Sequence, residues 1–148
     1  MCGWVSNLPC CNCLSDHPGL KIGHINVNGL KGKLPEIRML LLNASLDVLA
    51  VTETKLANDI TDDEIGIEGY FTIWKDRDRN GGGVLMYYKD SLSAYKEVRM
   101  QVPHTIKGVW INVRSQSQSW LFACVYRPLL HLSFYDMFNV MLEEVWST

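Results

Sequence analysis

Short apolar runs separated by polar breaks begin at residue 20 and continue along the rest of the chain. The segment 20–26 predicts a strand. After it, Ile37, Leu40 and Leu41 recur at the spacing of one helical face. Residues 47–52 then form an almost unbroken apolar run, which is typical of a strand buried on both faces. This part of the chain is therefore predicted to be strand, helix, strand, with the helix covering a sheet.

The second half of the sequence predicts mainly hairpins. Asn80-Gly81 is a strong turn signal, because both residues tolerate positive φ. The strands predicted in this half are 70–74, 84–88, 109–113 and 120–126. A closing amphipathic helix is predicted over residues 133–146. Its apolar face comprises Phe134, Met137, Val140, Met141 and Val145.

Two smaller signals complete the predicted fold. Thr61 and Glu64 have the capping-box spacing of a short helical turn. Tyr87 and Tyr88 are predicted to be strand residues with one side exposed. The order strand, helix, strand, hairpins, helix favours an α/β (α+β) domain, in which a mixed sheet has flanking helices, over a doubly wound parallel sheet.

Residues 1–19 lack this periodicity and are predicted to be a disordered leader, with the domain occupying residues 20–148. The leader contains four of the five cysteines. Cys10, Cys13 and His17 have a spacing that suits zinc, but zinc sites usually need a second ligand pair on a defined turn. An unstructured leader is the favoured interpretation of the two.

Composition narrows the possible functions. Hydrophobic residues make up 47% of the chain and charged residues 20%, which favours a packed core over disorder. The net charge is −2, so contact with phosphate has to be local. No apolar run approaches the ~18 residues that a membrane span requires. An odd number of cysteines, with Cys124 in a predicted core strand, indicates a reducing, intracellular compartment.

Polar side chains stand where three predicted strands end, at Asn26, Glu53 and Tyr126. In sheets covered by helices, functional sites collect at the carboxyl ends of strands. A carboxylate directly after a buried strand must be solvated, paired or bound to a cation, because bare burial is costly. An ion with oxygen ligands such as Mg²⁺ suits Glu53. Position alone favours the alternative, a solvated carboxylate at a strand end.

Four segments, in this order and spacing, resemble the endonuclease/exonuclease/phosphatase superfamily. They are HINVNGL (24–30), AVTETK (50–55), RDRNGGGV (77–84) and CVYRP (124–128). Within that superfamily the chain is most similar, over residues 20–145, to the endonuclease domain of non-LTR (LINE-type) retrotransposons. The resemblance implies about half of a four-layer αββα sandwich. It also implies DNA as the partner, cleavage that leaves a 3′ hydroxyl, dependence on Mg²⁺ or alternatively Mn²⁺, and a nuclear location.

The resemblance also assigns roles to the residues at the strand ends. Asn26 matches the active-site Asn, Glu53 the metal-binding Glu, and Tyr126 a Tyr whose hydroxyl contacts the scissile phosphate. Asn28 stands where relatives carry a metal-site Asp, and its contribution is weaker because it is neutral. The candidate DNA contacts are Arg77, Arg79 and Arg127, with Lys75 beside them. Since aspartates alternate with the first two arginines, a solvated loop is an equal alternative.

In this superfamily the general base is an Asp in a segment that comes after the Tyr strand. In relatives that strand is followed by a Gly-Asp-Phe-Asn motif, a further Asp and a terminal Ser-Asp-His. The residues after Tyr126 contain none of these, and Ser15-Asp16-His17 precedes the first strand. The chain alone is therefore expected to be inactive. The alternatives are a catalytically dead binding or structural module and a phosphatase of the same superfamily. An uncovered apolar sheet face is expected to favour self-association.

Overall fold

The computed structural model describes residues 4–5, 8–9, 19–57, 59–76, 82–96, 106–114, 117–127 and 133–146. The strands are β1 (Trp4–Val5), β2 (Leu8–Pro9), β3 (Ile22–Asn26), β4 (Val48–Thr52), β5 (Tyr70–Lys75), β6 (Val84–Lys89), β7 (Ala94–Lys96), β8 (Lys107–Arg114) and β9 (Ser119–Tyr126). The helices are α1 (Leu34–Ala44), α2 (Asp62–Ile65) and α3 (Phe134–Trp146), and a 3₁₀ turn over Lys31–Lys33 precedes α1.

Two sheets form the centre of the domain. The first has the strand order β3-β4-β6-β5 and is mixed, because β3 and β4 are parallel while the other neighbours are antiparallel. Helix α1 returns the chain to the same end of the sheet between β3 and β4, which makes that pair parallel. The second sheet is antiparallel, with the order β7-β8-β9. The predicted mixed sheet is confirmed.

Within the predicted leader, β1 and β2 form a short antiparallel pair. The other residues between 1 and 18 lie outside the described part of the chain, and these include the candidate zinc ligands Cys10, Cys13 and His17. The boundary between a leader and a domain at residue 20 therefore stays a prediction.

Helix α1 covers the outer face of the mixed sheet. Pro35 stands in its first turn, where a missing N–H removes no helical hydrogen bond. Its buried face packs on alternate residues of β4 and β6. That face consists of Ile37, Leu40, Leu41 and Ala44, which includes the three positions predicted from the sequence.

Strand β6 is central in the mixed sheet, and both of its faces are covered. Tyr87 lies in the cluster under α1 and is 0% exposed, whereas Tyr88 lies in the cluster between the two sheets and is 8% exposed. The prediction that one side of this pair is exposed is wrong, because the antiparallel sheet packs on the face of β6 that carries Tyr88.

Helix α3 covers the outer face of the antiparallel sheet. Phe134 and Met141 pack with Ile106 and Trp110. Val140 is 58% exposed, so its predicted place on the apolar face is wrong. It precedes Met141 and therefore lies about 100° away around the helix. The layers follow the order helix, mixed sheet, antiparallel sheet, helix. The two sheets pack face to face, so the expectation that one apolar sheet face is left uncovered is wrong. Among the helices that the structure describes, none has the length and apolar character of a transmembrane span.

Candidate functional site

The carboxyl ends of β3 and β4 lie side by side because these strands are parallel. Asn26 pairs with Thr52, the residue before Glu53. Beyond the strands, the N–H of Val27 donates to the carbonyl of Thr52 at 3.1 Å, and the N–H of Gly29 donates to that of Glu53 at 2.8 Å. Asn26 and Glu53, separated by a helix in the sequence, therefore occupy the same edge of the mixed sheet.

Tyr126 reaches this edge through the two glycines that precede β6. The N–H of Glu53 donates to the carbonyl of Gly83 at 2.9 Å. The ring of Tyr126 lies directly against Gly82, since a Cβ at Gly82 would stand 3.1 Å from the Tyr126 Cε1 atom. Backbone hydrogen bonds thus connect the strand end at Asn26 with Glu53 and the glycines, and Gly82 contacts the ring of Tyr126. The three residues lie at one edge, and their catalytic roles stay predictions.

Left-handed backbone conformations concentrate in the loops of this edge. Glu53, Lys55 and Asn28 have φ of 57°, 51° and 45°. For residues other than glycine such conformations cost on the order of 1–3 kcal/mol and persist only where the surroundings fix them. Glu53 is fixed by its backbone bonds on both sides, and the N–H of Lys55 donates to the carbonyl of Gly82 at 3.3 Å. The turn at Glu53 takes its side chain out of the regular alternation of β4.

The two asparagines have defined partners. The Asn26 Oδ1 atom accepts a hydrogen bond from the N–H of Asn28 at 3.1 Å, and the Asn28 Oδ1 atom accepts a short one from the Lys55 ammonium. The first bond orients the Asn26 amide so that its NH₂ group is the free donor. The second leaves the Asn28 oxygen less available to a metal ion. Glu53, whose side chain is half-buried, is therefore the better candidate ligand.

Asp76 supports the site, although the alternating charges around it indicated only a solvated loop or a contact with DNA as equal alternatives. Its Oδ2 atom accepts hydrogen bonds from the Thr54 hydroxyl at 2.8 Å and from the N–H of Leu56 at 2.5 Å. Gly83 packs so tightly here that a Cβ would overlap both the Thr54 hydroxyl and the Asp76 carboxylate. Asp76 thus fixes the segment that follows Glu53. In the sequence, the features that could have indicated this role of Asp76 are the Thr directly after Glu53 and the glycine at residue 83.

Two of the predicted cationic contacts lie in the described part of the chain. The guanidinium carbon of Arg127 lies 4.7 Å from the ring centroid of Tyr135, and its Nη1 donates to the Tyr135 hydroxyl at 2.7 Å. Arg127 is therefore held beside the first turn of α3. Lys75 donates to the carbonyl of Ile106 at 3.3 Å. Burial, and then the nearby charge of Lys107, lower the pKa of Lys75.

Arg77 and Arg79 lie outside the described residues, so their predicted contact with DNA stays a prediction. His24 has a structural partner, since its Nε2 atom lies 3.2 Å from the Thr52 hydroxyl oxygen. This agrees with the structural role that lone histidines usually have.

The chemistry of the edge suits a weakly held Mg²⁺ ion. Mg²⁺ usually keeps several waters and binds one or two carboxylates together with substrate phosphates. Glu53 would supply one such carboxylate. In the part of the chain that the structure describes, no cluster of three or more His, Cys, Asp or Glu side chains is arranged around a metal position. An ion at this edge would therefore depend on Glu53 and on oxygens of the bound phosphate.

Comparison with solved structures shows the fold, which this chain shares with a retrotransposon endonuclease domain, a 3′ phosphatase and an AP endonuclease. The endonuclease domain of TRAS1, a telomere-specific non-LTR retrotransposon, matches with a TM-score of 0.63 and 10% identity, over 86% of this chain and 54% of that one. A 3′ phosphatase from Neisseria, bound to a product DNA hairpin, matches with a TM-score of 0.56 and 19% identity, over 85% and 51%.

An AP endonuclease from Archaeoglobus fulgidus matches with a TM-score of 0.52 and 16% identity, over 87% of this chain and 50% of that one. The chain thus spans about half the length of the structures it matches. Comparisons with protein-family models and with curated proteins find no match. The likeness confirms the expected fold.

Proposed function

We propose that this chain carries the metal-binding and phosphate-binding half of a domain that cleaves phosphodiester bonds in DNA. The main support for the proposal is that Asn26, Glu53 and Tyr126 lie at one edge of the mixed sheet. Glu53 is hydrogen-bonded to Gly83, and the neighbouring Gly82 contacts the ring of Tyr126. The fold, shared with a 3′ phosphatase, an AP endonuclease and a retrotransposon endonuclease domain, supports this chemistry.

Hydrolysis of a phosphodiester places negative charge on the non-bridging oxygens and on the leaving oxygen. A Mg²⁺ ion held by Glu53 would neutralise part of that charge when bound. The Asn26 amide, oriented by its bond with Asn28, donates a hydrogen bond to a phosphate oxygen. The hydroxyl of Tyr126 donates a second. These groups hold the phosphate in place and stabilise its charge.

The attacking water also needs a base. The resemblance places that base on an Asp in a segment after the Tyr strand, which the present sequence does not contain. For the chain as given, we expect binding of Mg²⁺ and DNA without cleavage. The retrotransposon type is favoured by the four segments of the resemblance and by the likeness to the TRAS1 domain. A nuclear location belongs to the same proposal.

A binding experiment tests the role of Glu53. Fluorescence anisotropy of labelled DNA is measured with Mg²⁺ and with EDTA, for the wild-type chain, Glu53→Gln and Glu36→Gln. Glu36 is a matched control because it is an exposed carboxylate in the first turn of α1. Mg²⁺ is expected to strengthen binding by the wild type and by Glu36→Gln only. An equal effect of Mg²⁺ on Glu53→Gln contradicts the proposal.

A supercoiled-plasmid assay tests whether the residues of this chain suffice for hydrolysis without the general base. Loss of a general base typically lowers a rate by ~10²–10⁴-fold, so nicking by the wild-type chain is expected to stay at background in Mg²⁺. If the wild type nicks the plasmid and Glu53→Ala does not, the residues present suffice for hydrolysis. The proposal that this chain is only half of the site is then wrong.

A further inference from the structure

A cavity of about 300 Å³ opens beside the candidate site, in the angle between the 3₁₀ turn and the segment that follows Glu53. The residues that line it are Lys31, Lys55, Leu56, Ala57 and Ile60. The resemblance gives no role to any of them.

The lining of the cavity has a positively charged side and an apolar side. Lys31 and Lys55 contribute two positive charges, and none of the described residues that line the cavity is negatively charged. The other three residues are apolar and provide a surface on which a flat ring or a sugar can pack. Cavities that bind small molecules usually measure ~300–1,000 Å³, and this one, at about 300 Å³, lies at the lower end of that range. A site with cations on one side and an apolar surface on the other suits a phosphate joined to a base.

Backbone hydrogen bonds fix both walls. The N–H of Leu30, which precedes Lys31, donates to the carbonyl of Thr54, which precedes Lys55, at 2.9 Å. The two lysines therefore extend from adjacent, connected loops. On the apolar side the N–H of Ile60 donates to the carbonyl of Ala57 at 3.0 Å. The cavity is thus largely preorganised, which reduces the entropy cost of binding.

Lys55 connects the cavity to the candidate site. Its ammonium bonds to the Asn28 oxygen, and it is two residues from Glu53 in the same loop. A strand whose phosphate lies at Glu53 would place an adjacent nucleotide within reach of this cavity. A base in a duplex exposes only its edges, whereas an unpaired base has free faces for packing.

We propose that this cavity binds an unpaired nucleotide of a DNA strand, next to the nucleotide whose phosphate lies at the Asn26–Glu53–Tyr126 edge. The phosphate of the unpaired nucleotide pairs with Lys31 and Lys55, and its base packs on the apolar wall. The inference rests on the proposed function, and it adds a preference for single-stranded or frayed DNA.

The test compares a labelled oligothymidylate with a blunt duplex of equal length, by anisotropy over a range of salt concentrations. Lys31→Ala removes one phosphate contact. Lys33→Ala is the matched control, because Lys33 is an exposed lysine of the same 3₁₀ turn that does not line the cavity. Ala57→Phe fills the cavity without changing the charge. Thermal melting of each variant establishes that it is folded.

Lys31→Ala is expected to weaken oligothymidylate binding about fivefold near 0.1 M salt and to make the salt dependence shallower by about 0.7. Lys33→Ala is expected to behave as wild type. Ala57→Phe is expected to weaken single-strand binding more than duplex binding. If Ala57→Phe does not fold, Ala57→Met replaces it. Equal effects of Lys31→Ala and Lys33→Ala, or unchanged single-strand preference in the filled variant, overturn the proposal.

A Glu53→Gln chain separates this inference from the proposed function. If Glu53→Gln loses the Mg²⁺ dependence while Lys31→Ala binds as wild type, the nucleotide cavity is wrong and the metal site stands. If Lys31→Ala and Ala57→Phe have their expected effects while Glu53→Gln keeps the Mg²⁺ dependence, the cavity stands and the metal role of Glu53 is wrong.

Discussion

The hydroxyl of Thr54 donates a hydrogen bond of 2.8 Å to the carboxylate of Asp76. This bond joins the segment after Glu53 to the end of strand β5. Because Thr54 is fully buried, water cannot take the place of Asp76 as the acceptor for its hydroxyl. The position of the candidate metal ligand therefore depends on a pair of residues that need not touch the metal.

Replacing Asp76 with Ala is expected to lower the free energy of unfolding by about 1.5–3 kcal/mol, the usual range for hydrogen bonds to a charged group. The substitution leaves the Thr54 hydroxyl and the N–H of Leu56 without their acceptor. Urea denaturation measures the change. Glu68→Ala, which removes an exposed carboxylate from the turn before β5, is the control and is expected to have little effect. A similar loss in both variants contradicts the role given to Asp76.

Gly83→Ala is expected to destabilise the chain more than Gly29→Ala. Both glycines have positive φ, of 87° and 108°, so both substitutions incur the left-handed penalty of roughly 1–2 kcal/mol. Only at Gly83 would the added Cβ also overlap the Thr54 hydroxyl and the Asp76 carboxylate, whereas at Gly29 it meets no atom within 4 Å. The difference in midpoint of urea denaturation between the two variants measures the packing contribution. Equal midpoints would show that the Thr54 and Asp76 side chains move aside for the added methyl group without loss of stability.

Cys124 is expected to resist alkylation in the folded protein. It is buried, its thiol lies 3.7 Å from the carbonyl of Val51, and burial raises its pKa from 9.0 to about 11. Because the folded pKa is the higher one, the stability that this group contributes is fully present below about pH 9. That stability is lost as the pH rises through about 11.

Peptide mapping after iodoacetamide treatment at pH 8 measures the reactivity of Cys124. The expected result is little modification of the folded chain and rapid modification in guanidinium. Rapid modification of the folded chain would show that this part of the interior opens readily.

The pattern of apolar residues was sufficient to predict α1 and the strand pair β3 and β4. Together with the Asn80-Gly81 turn signal, which lies outside the described residues, it also predicted the antiparallel pair β5 and β6. It also predicted that Asn26 and Glu53 lie at one edge, because parallel strands joined by a helix end on the same side. Local patterns could not predict the role of Asp76, whose partners are twenty or more residues away and whose neighbours carry alternating charges. Likewise, the two-sided burial of Tyr87 and Tyr88 depends on the second sheet, which is a long-range property.

Self-association is expected through strand β9, which lies at the edge of the described antiparallel sheet. Its sequence contains no charged residue that would oppose pairing with another strand, and Leu121 is 39% exposed. Sedimentation velocity is expected to show concentration-dependent association that Leu121→Lys reduces. Leu42→Lys, at a position 63% exposed on α1, is the control and should leave the association unchanged. Equal behaviour of the two variants rules out β9 as the interface.

The most direct test of the central claim is titration with Mn²⁺, followed by electron paramagnetic resonance, in the presence of a short DNA strand. DNA is expected to strengthen Mn²⁺ binding to the wild-type chain, because the proposed site would hold the ion jointly by Glu53 and by phosphate oxygens. Glu53→Gln is expected to lose this site and Glu36→Gln to retain it. Mn²⁺ binding that is the same in Glu53→Gln as in the wild type would contradict the account.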